Sequence, residues 1–160
     1  MKQQSGQKIV TENRRARHDY HVLERFEAGI ALRGTEVKSL RDGKMMLKDS
    51  YAEVRQGEMY LVGAHISPYE QGNLYNHEPE RARKLLLHKR EILRLGAQVA
   101  EKGLTVVPLR VYFTKGIAKV ELGLCRGKQS IDKRATVRER DAKRELDRAV
   151  KQFTRRKADD

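Results

Sequence analysis

The residues best suited to chemistry in this sequence are cations set among leucines and aromatic residues. The segment from Arg81 to Arg94 has six lysines or arginines, one glutamate and three consecutive leucines. A second basic cluster, from Asn13 to Tyr20, has three arginines and ends on an aromatic residue. Arginine donates paired hydrogen bonds to phosphate, lysine adds a mobile charge, and aromatic rings stack on unpaired bases. The two clusters therefore predict RNA binding, although an ordinary solvated surface is the alternative for each.

The RNA contacts expected from these charges come mainly from the two clusters. They are Arg15, Arg17, His18, Arg81, Arg83, Lys84, His88, Lys89, Arg90 and Lys128. Glu27 is a further candidate, because a carboxylate beside Arg25 can accept hydrogen bonds from base or ribose donors. An ion pair between Glu27 and a nearby lysine is the alternative interpretation.

Catalytic chemistry has less support in the sequence. The five histidines show no metal-ligand spacing, and the chain contains no hydrolase or nucleotide-binding signature. A single cysteine, Cys125, excludes a disulfide framework, and its apolar surroundings predict a buried side chain. We expect no catalytic residue, no metal and no cofactor. An RNA-processing enzyme that uses the region from His18 to His21 stays open as the alternative, with a hydrogen-bonded His18–Asp19 pair as the simpler interpretation.

The last 35 residues differ in character from the rest of the chain. Segment 126–160 has 13 lysines or arginines and 7 acidic residues, so it carries +6 of the total net charge of +13. It has few large apolar residues, and Ala142, Leu146, Ala149, Val150 and Phe153 fall at helical spacing. Because so thin a stripe does not stabilise a helix alone, we expect a tail that is disordered in isolation and becomes helical on a polyanion.

The segment before Arg126 alternates short apolar runs with turn residues, as in a small β-rich domain. The pattern predicts a strand from Tyr20 to Leu32 bent at Gly29, a short helix capped by Thr35, a hairpin turning at Gln56-Gly57, a helix from His88 to Glu101 and a hairpin turning at Lys115-Gly116. These elements indicate a mainly β fold, a small OB-like closed barrel with two or three helices. The predicted domains are a flexible N-terminus (1–12), an RNA-binding barrel (13–125) and a basic tail (126–160).

The location expected from the sequence is the cytoplasm. No apolar stretch approaches the roughly 20 residues of a membrane helix, and the segment from Met1 to Lys8 lacks the apolar middle of a signal peptide. We therefore expect no membrane association, and we expect a monomer.

Four strings of the sequence resemble one bacterial family. They are Gly34-Thr-Glu-Val-Lys-Ser-Leu-Arg41, His65-Ile-Ser-Pro-Tyr69, Arg83-Lys-Leu-Leu-Leu-His-Lys-Arg-Glu-Ile92 and Asp132-Lys-Arg134. Together they resemble the SmpB family, the SsrA-binding proteins, from about Asn13 to Arg144.

The resemblance implies a ribosome-rescue factor. Members of the family bind the tRNA-like domain of transfer-messenger RNA and bring it to ribosomes stalled on messages without a stop codon, the process of trans-translation. The protein stands in for the missing anticodon arm, and its tail enters the decoding centre of 16S rRNA and the empty message channel, where it becomes helical. A general OB-type translation or ribosomal protein is the alternative within the same class.

The resemblance also assigns roles to individual residues. Glu27, Leu86 and Lys119 match the family's contacts with transfer-messenger RNA. Asp132, Lys133 and Arg134 match its ribosome-accommodation motif, and the basic residues Arg138, Arg140, Lys143 and Arg144 follow in the same tail. Many members have a histidine immediately before the motif, where this chain has Ile131, and an isoleucine can pack on a base but not stack as an aromatic.

Overall fold

The computed structural model describes residues 6–128 and 130–158, without the side chains of residues 73, 130–133, 135, 136 and 156–158. The strands are β1 (Gln7–Glu12), β2 (Tyr20–Ile30), β3 (Met45–Met46), β4 (Tyr51–Arg55), β5 (Glu58–Val62), β6 (His65–Ile66), β7 (Arg83–Leu86), β8 (Thr105–Thr114) and β9 (Ile117–Gly127). The helices are α1 (Arg14–Asp19), α2 (Gly34–Arg41), α3 (Lys89–Lys102) and α4 (Ser130–Ala158), with a 3-10 turn at Asn73–Tyr75. The chain forms two compact units, one through Gly127 and one from Lys128, a division that falls two residues after the predicted boundary.

Seven of the strands form one antiparallel sheet, in the order β1-β8-β4-β5-β7-β2-β9. Strand β8 also pairs with β9 along its length. The strand order β8-β4-β5-β7-β2-β9 therefore leads back to β8, because β9 pairs with β8. Barrel closure requires such a cyclic order. The mainly β fold predicted from the alternating pattern is confirmed. Closure as an OB-type barrel stays a prediction, which this cyclic order supports.

Both predicted hairpin turns are confirmed. Gln56 and Gly57 have φ values of 51° and 77°, and Lys115 and Gly116 have values of 50° and 75°. Positive φ at both central residues gives the two-residue turn whose twist matches that of paired strands. The helix predicted from His88 to Glu101 is α3, and Gly103 ends it in the left-handed conformation at φ 63°.

The sheet has apolar residues on both faces, because a bulge interrupts the alternation in β8. The register of β8 against β9 shifts between Pro108 and Arg110. Val111 and Phe113 consequently lie in the main core, whereas Val107 and Leu109 join Ala16 of α1 in a second, smaller cluster. Alternate positions of an uninterrupted strand share a face, so the spacing of these four residues predicts one common face; that prediction is wrong for Val107 and Leu109, since a bulge reverses the facing of every residue beyond it.

The structure differs from two further expectations. Gln7–Glu12 form β1 against β8, although residues 1–12 are predicted to be flexible; residues 1–5 of that segment lie outside the described residues. Helix α2 begins at Gly34 after Arg33 rather than after a Thr35 cap. The tail contains the 29-residue helix α4, and its disorder in isolation stays a prediction.

Among the described residues, no helix is both long enough and apolar enough to span a lipid bilayer.

Candidate nucleic-acid interface

Three neighbouring strands bring Glu27, Leu86 and Lys119 to one groove. Gly29 of β2 pairs with Leu86 of β7 on one side and with Lys119 of β9 on the other. Adjacent strands lie about 4.8 Å apart, so the backbones of Leu86 and Lys119 are separated by roughly twice that distance. Glu27 precedes Gly29 by two residues and therefore shares its face of the sheet. All four residues line an open groove of about 840 Å³.

Gly29 keeps the floor of this groove open. A Cβ atom at Gly29 would lie 3.2 Å from Leu86 Cβ and 3.3 Å from Leu86 Cδ1. The Leu86 side chain therefore lies over Gly29, where the Cβ atom of any other residue would crowd it. Leu86 is 53% exposed, so it offers an apolar surface to a base or a ribose. Sequence reasoning used Gly29 only as a bend in the strand and missed this role.

The carboxylate of Glu27 is held by a buried tyrosine. The hydroxyl of Tyr112, on β8, donates a hydrogen bond to Glu27 Oε2 across the intervening strand β9. Burial of Tyr112 and this hydrogen bond raise its pKa, so the hydroxyl stays protonated and keeps its donor. Glu27 Oε1 has no hydrogen-bond partner among the residues that the structure describes, so it is a candidate acceptor. The lysine ion pair considered for Glu27 is replaced by this tyrosine contact.

A second carboxylate on the same face is bridged by two arginines. Glu121 Oε1 accepts from Arg25 at 2.8 Å, and Glu121 Oε2 accepts from Arg110 at 2.8 Å. The Arg110 guanidinium also lies 5.1 Å from the ring centre of Tyr112. These contacts help to hold Tyr112, the hydrogen-bond donor to Glu27, in place. Alternation along β9 places Glu121 on the same outward face as Lys119, two residues earlier.

The other side of the groove is formed by β7 and the start of α3. Lys84 Nζ lies 2.9 Å from Glu58 Oε1, and the hydrogen bond with Lys84 lowers the pKa of Glu58 and raises that of Lys84. His88 and Lys89 line the groove at the first turn of α3. No side chain caps that turn, so its backbone N–H groups, with the positive end of the helix dipole, suit a phosphate.

The groove therefore combines three kinds of contact. Lys84, Lys89 and Lys119 supply cations, Glu27, Glu58 and Glu91 supply acceptors, and Leu86 supplies an apolar surface. A simple phosphate channel needs only the cations. Acceptors set between lysines are suited to base and ribose donors, so the groove has the chemical groups that recognition of particular nucleotides requires.

Arg83 is not an RNA contact, and its prediction as one is wrong. Its side chain is fully buried, and its Nε lies 2.6 Å from Oε2 of the fully buried Glu36 of α2. Its other nitrogens donate to the carbonyl oxygens of Ala64 at 2.7 Å and of Pro79 at 2.9 Å. Arg81 also pairs with Glu36 and is 22% exposed. The two arginines join α2, β7 and the loop before β7, and thereby fix the strand that carries Lys84 and Leu86.

The predicted basic cluster before Tyr20 lies apart from the groove. Arg15, Arg17 and His18 belong to α1 and none of them lines it. Arg15 lies 3.5 Å from Asp19 and 3.9 Å from Asp49, and His18 Nδ1 lies 2.9 Å from Asp19 Oδ1. The hydrogen-bonded interpretation of the His18–Asp19 pair is confirmed. Arg90 is exposed on α3 but does not line the groove either.

The predicted tail residues fall on α4 or just before it. Lys128 is partly exposed, and the side chains of Arg134, Arg138, Arg140, Lys143 and Arg144 are exposed. The side chains of Ile131, Asp132 and Lys133 lie outside the described residues. Leu146, Val150 and Phe153 are 65%, 58% and 65% exposed, so the predicted apolar stripe is largely open to solvent.

Cys125 is buried, as predicted. Burial raises the pKa of its thiol to about 11, which leaves almost no thiolate at neutral pH. It therefore belongs to the smaller apolar cluster rather than to a reactive site.

Comparison with known proteins places the chain in one family. The model of the SmpB protein family matches residues 10–152. The SsrA-binding protein of Pelotomaculum thermopropionicum is 62% identical over 148 residues, 92% of this chain and 97% of the relative. That of Shouchella clausii is 58% identical over 148 residues, covering 92% and 95% of the two chains. A solved structure described as "tmRNA-SmpB: a journey to the center of the bacterial ribosome" matches with a TM-score of 0.64 at 59% identity, over 75% of this chain and 85% of that chain. The chain belongs to the SmpB family.

Proposed function

We propose that the protein binds the tRNA-like domain of transfer-messenger RNA and delivers it to stalled ribosomes for trans-translation. The observation that carries the proposal is the groove in which Glu27, Leu86 and Lys119 meet around Gly29. These three positions come from separate parts of the chain, and they are the ones that the family resemblance assigns to this RNA. Relatives named SsrA-binding protein support the identity of the RNA.

The helix of the second unit takes the ribosomal role in this proposal. A helix of 29 residues is about 44 Å long at ~1.5 Å per residue. Its exposed arginines and lysines suit the phosphates of 16S rRNA at the decoding centre, and its open stripe from Leu146 to Phe153 suits apolar packing there. A solved relative described with transfer-messenger RNA in the ribosome supports this location.

The protein acts without catalysis in this account, in the cytoplasm and as a monomer. The groove offers cations, acceptors and an apolar surface, a set that binds RNA without a nucleophile poised against a base. Asp19 pairs with both His18 and Arg15. This pairing gives His18 a structural role in α1.

Equilibrium binding tests the proposed RNA site. The probe is the isolated tRNA-like domain, compared at several salt concentrations with an elongator tRNA of similar length. Glu27→Ala should lose affinity at every salt concentration, because it removes a positioned acceptor. Lys119→Ala should lower the slope of log affinity against log salt by about 0.7–0.9, the value for one phosphate contact.

The matched control is Lys48→Ala, which removes one exposed cation away from the groove. It should leave the discrimination between the two RNAs and most of the affinity intact. If the Glu27→Ala and Lys119→Ala variants bind like the Lys48→Ala variant, the groove is not the RNA site.

A further inference from the structure

The loop between β6 and β7 exposes two large apolar side chains. Leu74 and Tyr75, in the 3-10 turn at Asn73–Tyr75, are 98% and 90% exposed. Both values exceed those of Leu86 in the groove and of the apolar residues of α4. Two adjacent large apolar residues left almost wholly in water contribute nothing to the core, so their position calls for an explanation outside folding.

The loop that carries them is held by specific hydrogen bonds. The side chain of Asn76 donates to the Tyr69 carbonyl at 2.6 Å and accepts from the Tyr69 N–H at 3.0 Å. The buried His77 lies 2.9 Å from the Ile66 carbonyl and 2.9 Å from Thr35 Oγ1. A preformed loop loses little conformational entropy on association, which favours tight binding by few residues.

The charge of the loop is opposite to that of the protein. Residues 67–82, the whole loop, contain Glu70, Glu78 and Glu80 and only one lysine or arginine, Arg81, which pairs with the buried Glu36, in a chain of net charge +13. Lys44 Nζ lies 3.3 Å from Glu70 and His65 Nδ1 lies 3.6 Å from Glu80, yet the two glutamate side chains are 84% and 70% exposed. Exposed carboxylates in the loop that carries the apolar pair disfavour phosphate, so this surface suits a cationic protein better than RNA.

We propose that the loop from Ser67 to Glu80 is a docking surface for a basic ribosomal protein, with Leu74 and Tyr75 as its apolar anchors and the glutamates as its charged rim. Aromatic anchors surrounded by a polar rim are the usual composition of an energetically dominant contact. The inference rests on the proposed function, because that function brings the protein to the ribosome. The loop is separate from the RNA groove, since none of its residues lines that groove.

Site-specific photo-crosslinking tests the inference on the full chain, bound to transfer-messenger RNA and ribosomes stalled on a message without a stop codon. The crosslinker p-benzoylphenylalanine replaces Tyr75, and in the control it replaces Ile117, which is 59% exposed at a hairpin tip. After irradiation and ribonuclease treatment, position 75 should yield an adduct with one basic ribosomal protein, and position 117 should not. An adduct with RNA at position 75, or no adduct above the control, overturns the inference.

Co-sedimentation of the unsubstituted chain with the same ribosomes separates this test from that of the proposed function. Failure of the unsubstituted chain to co-sediment overturns both, whereas its co-sedimentation without a protein adduct at position 75 overturns only the docking surface. The double variant Leu74→Ser/Tyr75→Ser should lose about tenfold or more in ribosome affinity. It should keep its affinity for the tRNA-like domain and its unfolding midpoint, since both side chains are outside the core. Unchanged ribosome affinity of this variant contradicts the docking role.

Discussion

The buried ion pair between Arg83 and Glu36 allows a quantitative prediction of stability. Arg83→Met keeps the size and apolar stem of the side chain but leaves the Glu36 carboxylate without its fully buried partner and removes the hydrogen bonds that Arg83 donates to the carbonyl oxygens of Ala64 and Pro79. Removing one member of a buried ion pair costs about 3–5 kcal/mol. With a urea dependence of about 2 kcal/mol per molar, typical of a small domain, the unfolding midpoint should fall by roughly 2 M.

Tyrosine fluorescence during urea unfolding measures this change in the sheet unit alone. All six tyrosines precede Lys128 and the chain has no tryptophan, so α4 does not contribute to the signal. The matched control is Arg94→Met, which breaks an exposed pair with Glu24 at 3.4 Å. An exposed pair contributes less than about 1 kcal/mol, so the control midpoint should move by no more than about 0.5 M. Equal midpoints for the two variants would refute the structural role assigned to Arg83.

The pH dependence of this effect has a definite sign. Burial works to raise the pKa of Glu36, but the hydrogen bonds from the Arg33 backbone, Arg81 and Arg83 outweigh it and hold the pKa below its ordinary value. A carboxylate whose pKa is depressed by folding stabilises the protein above the unfolded pKa, near 4.3, and loses that contribution as the pH falls through the folded pKa. The difference in the free energy of unfolding between wild type and the Arg83→Met variant should therefore become smaller in acid.

Three other predictions concern separate parts of the molecule. Tyr112→Phe removes the donor that orients Glu27, so affinity for the tRNA-like domain should fall about two- to tenfold, from roughly 0.5–1.5 kcal/mol for one hydrogen bond; unchanged affinity would mean that Glu27 needs no support. Cys125, with a thiol pKa of about 11, should resist iodoacetamide at pH 8 in the folded protein and react once urea unfolds it, whereas rapid alkylation of the folded protein would contradict its burial. A peptide of residues 128–160 should show mostly coil by circular dichroism in buffer, because so thin an apolar stripe stabilises a helix poorly; a strongly helical spectrum would show that local propensity alone forms α4.

The sequence predicted the elements that local physics determines. Hairpin turns at Gln56-Gly57 and Lys115-Gly116 require positive φ at specific residues, and the helix α3 has a clear apolar period and a glycine stop. The bulge in β8 has no comparable local signal, because it depends on the register of β9 beside it. The facing of Val107 and Leu109 could therefore not be predicted.

The candidate site was predictable in part, for the same reason. Outward residues such as Lys119 follow from strand alternation, and the basic character of the segment from Arg81 to Arg94 is visible in composition. Charge alone does not distinguish the buried Arg83 from the exposed Lys84, since adjacent residues of a strand point to opposite faces and the pairing with Glu36 spans 47 residues of sequence. The contact of Tyr112 with Glu27 was not predicted, because a tyrosine within an apolar strand is expected to be a core residue.

We propose that the groove binds transfer-messenger RNA and that the tail makes this binding productive on the ribosome. Peptide tagging in a reconstituted translation system, on a message without a stop codon, tests it most directly. The full chain should support tagging. A chain ending after Gly127 keeps every strand and the whole groove, so it should bind the tRNA-like domain specifically at physiological salt but fail to support tagging. Normal tagging by the shortened chain, or none by the full chain, would contradict the account.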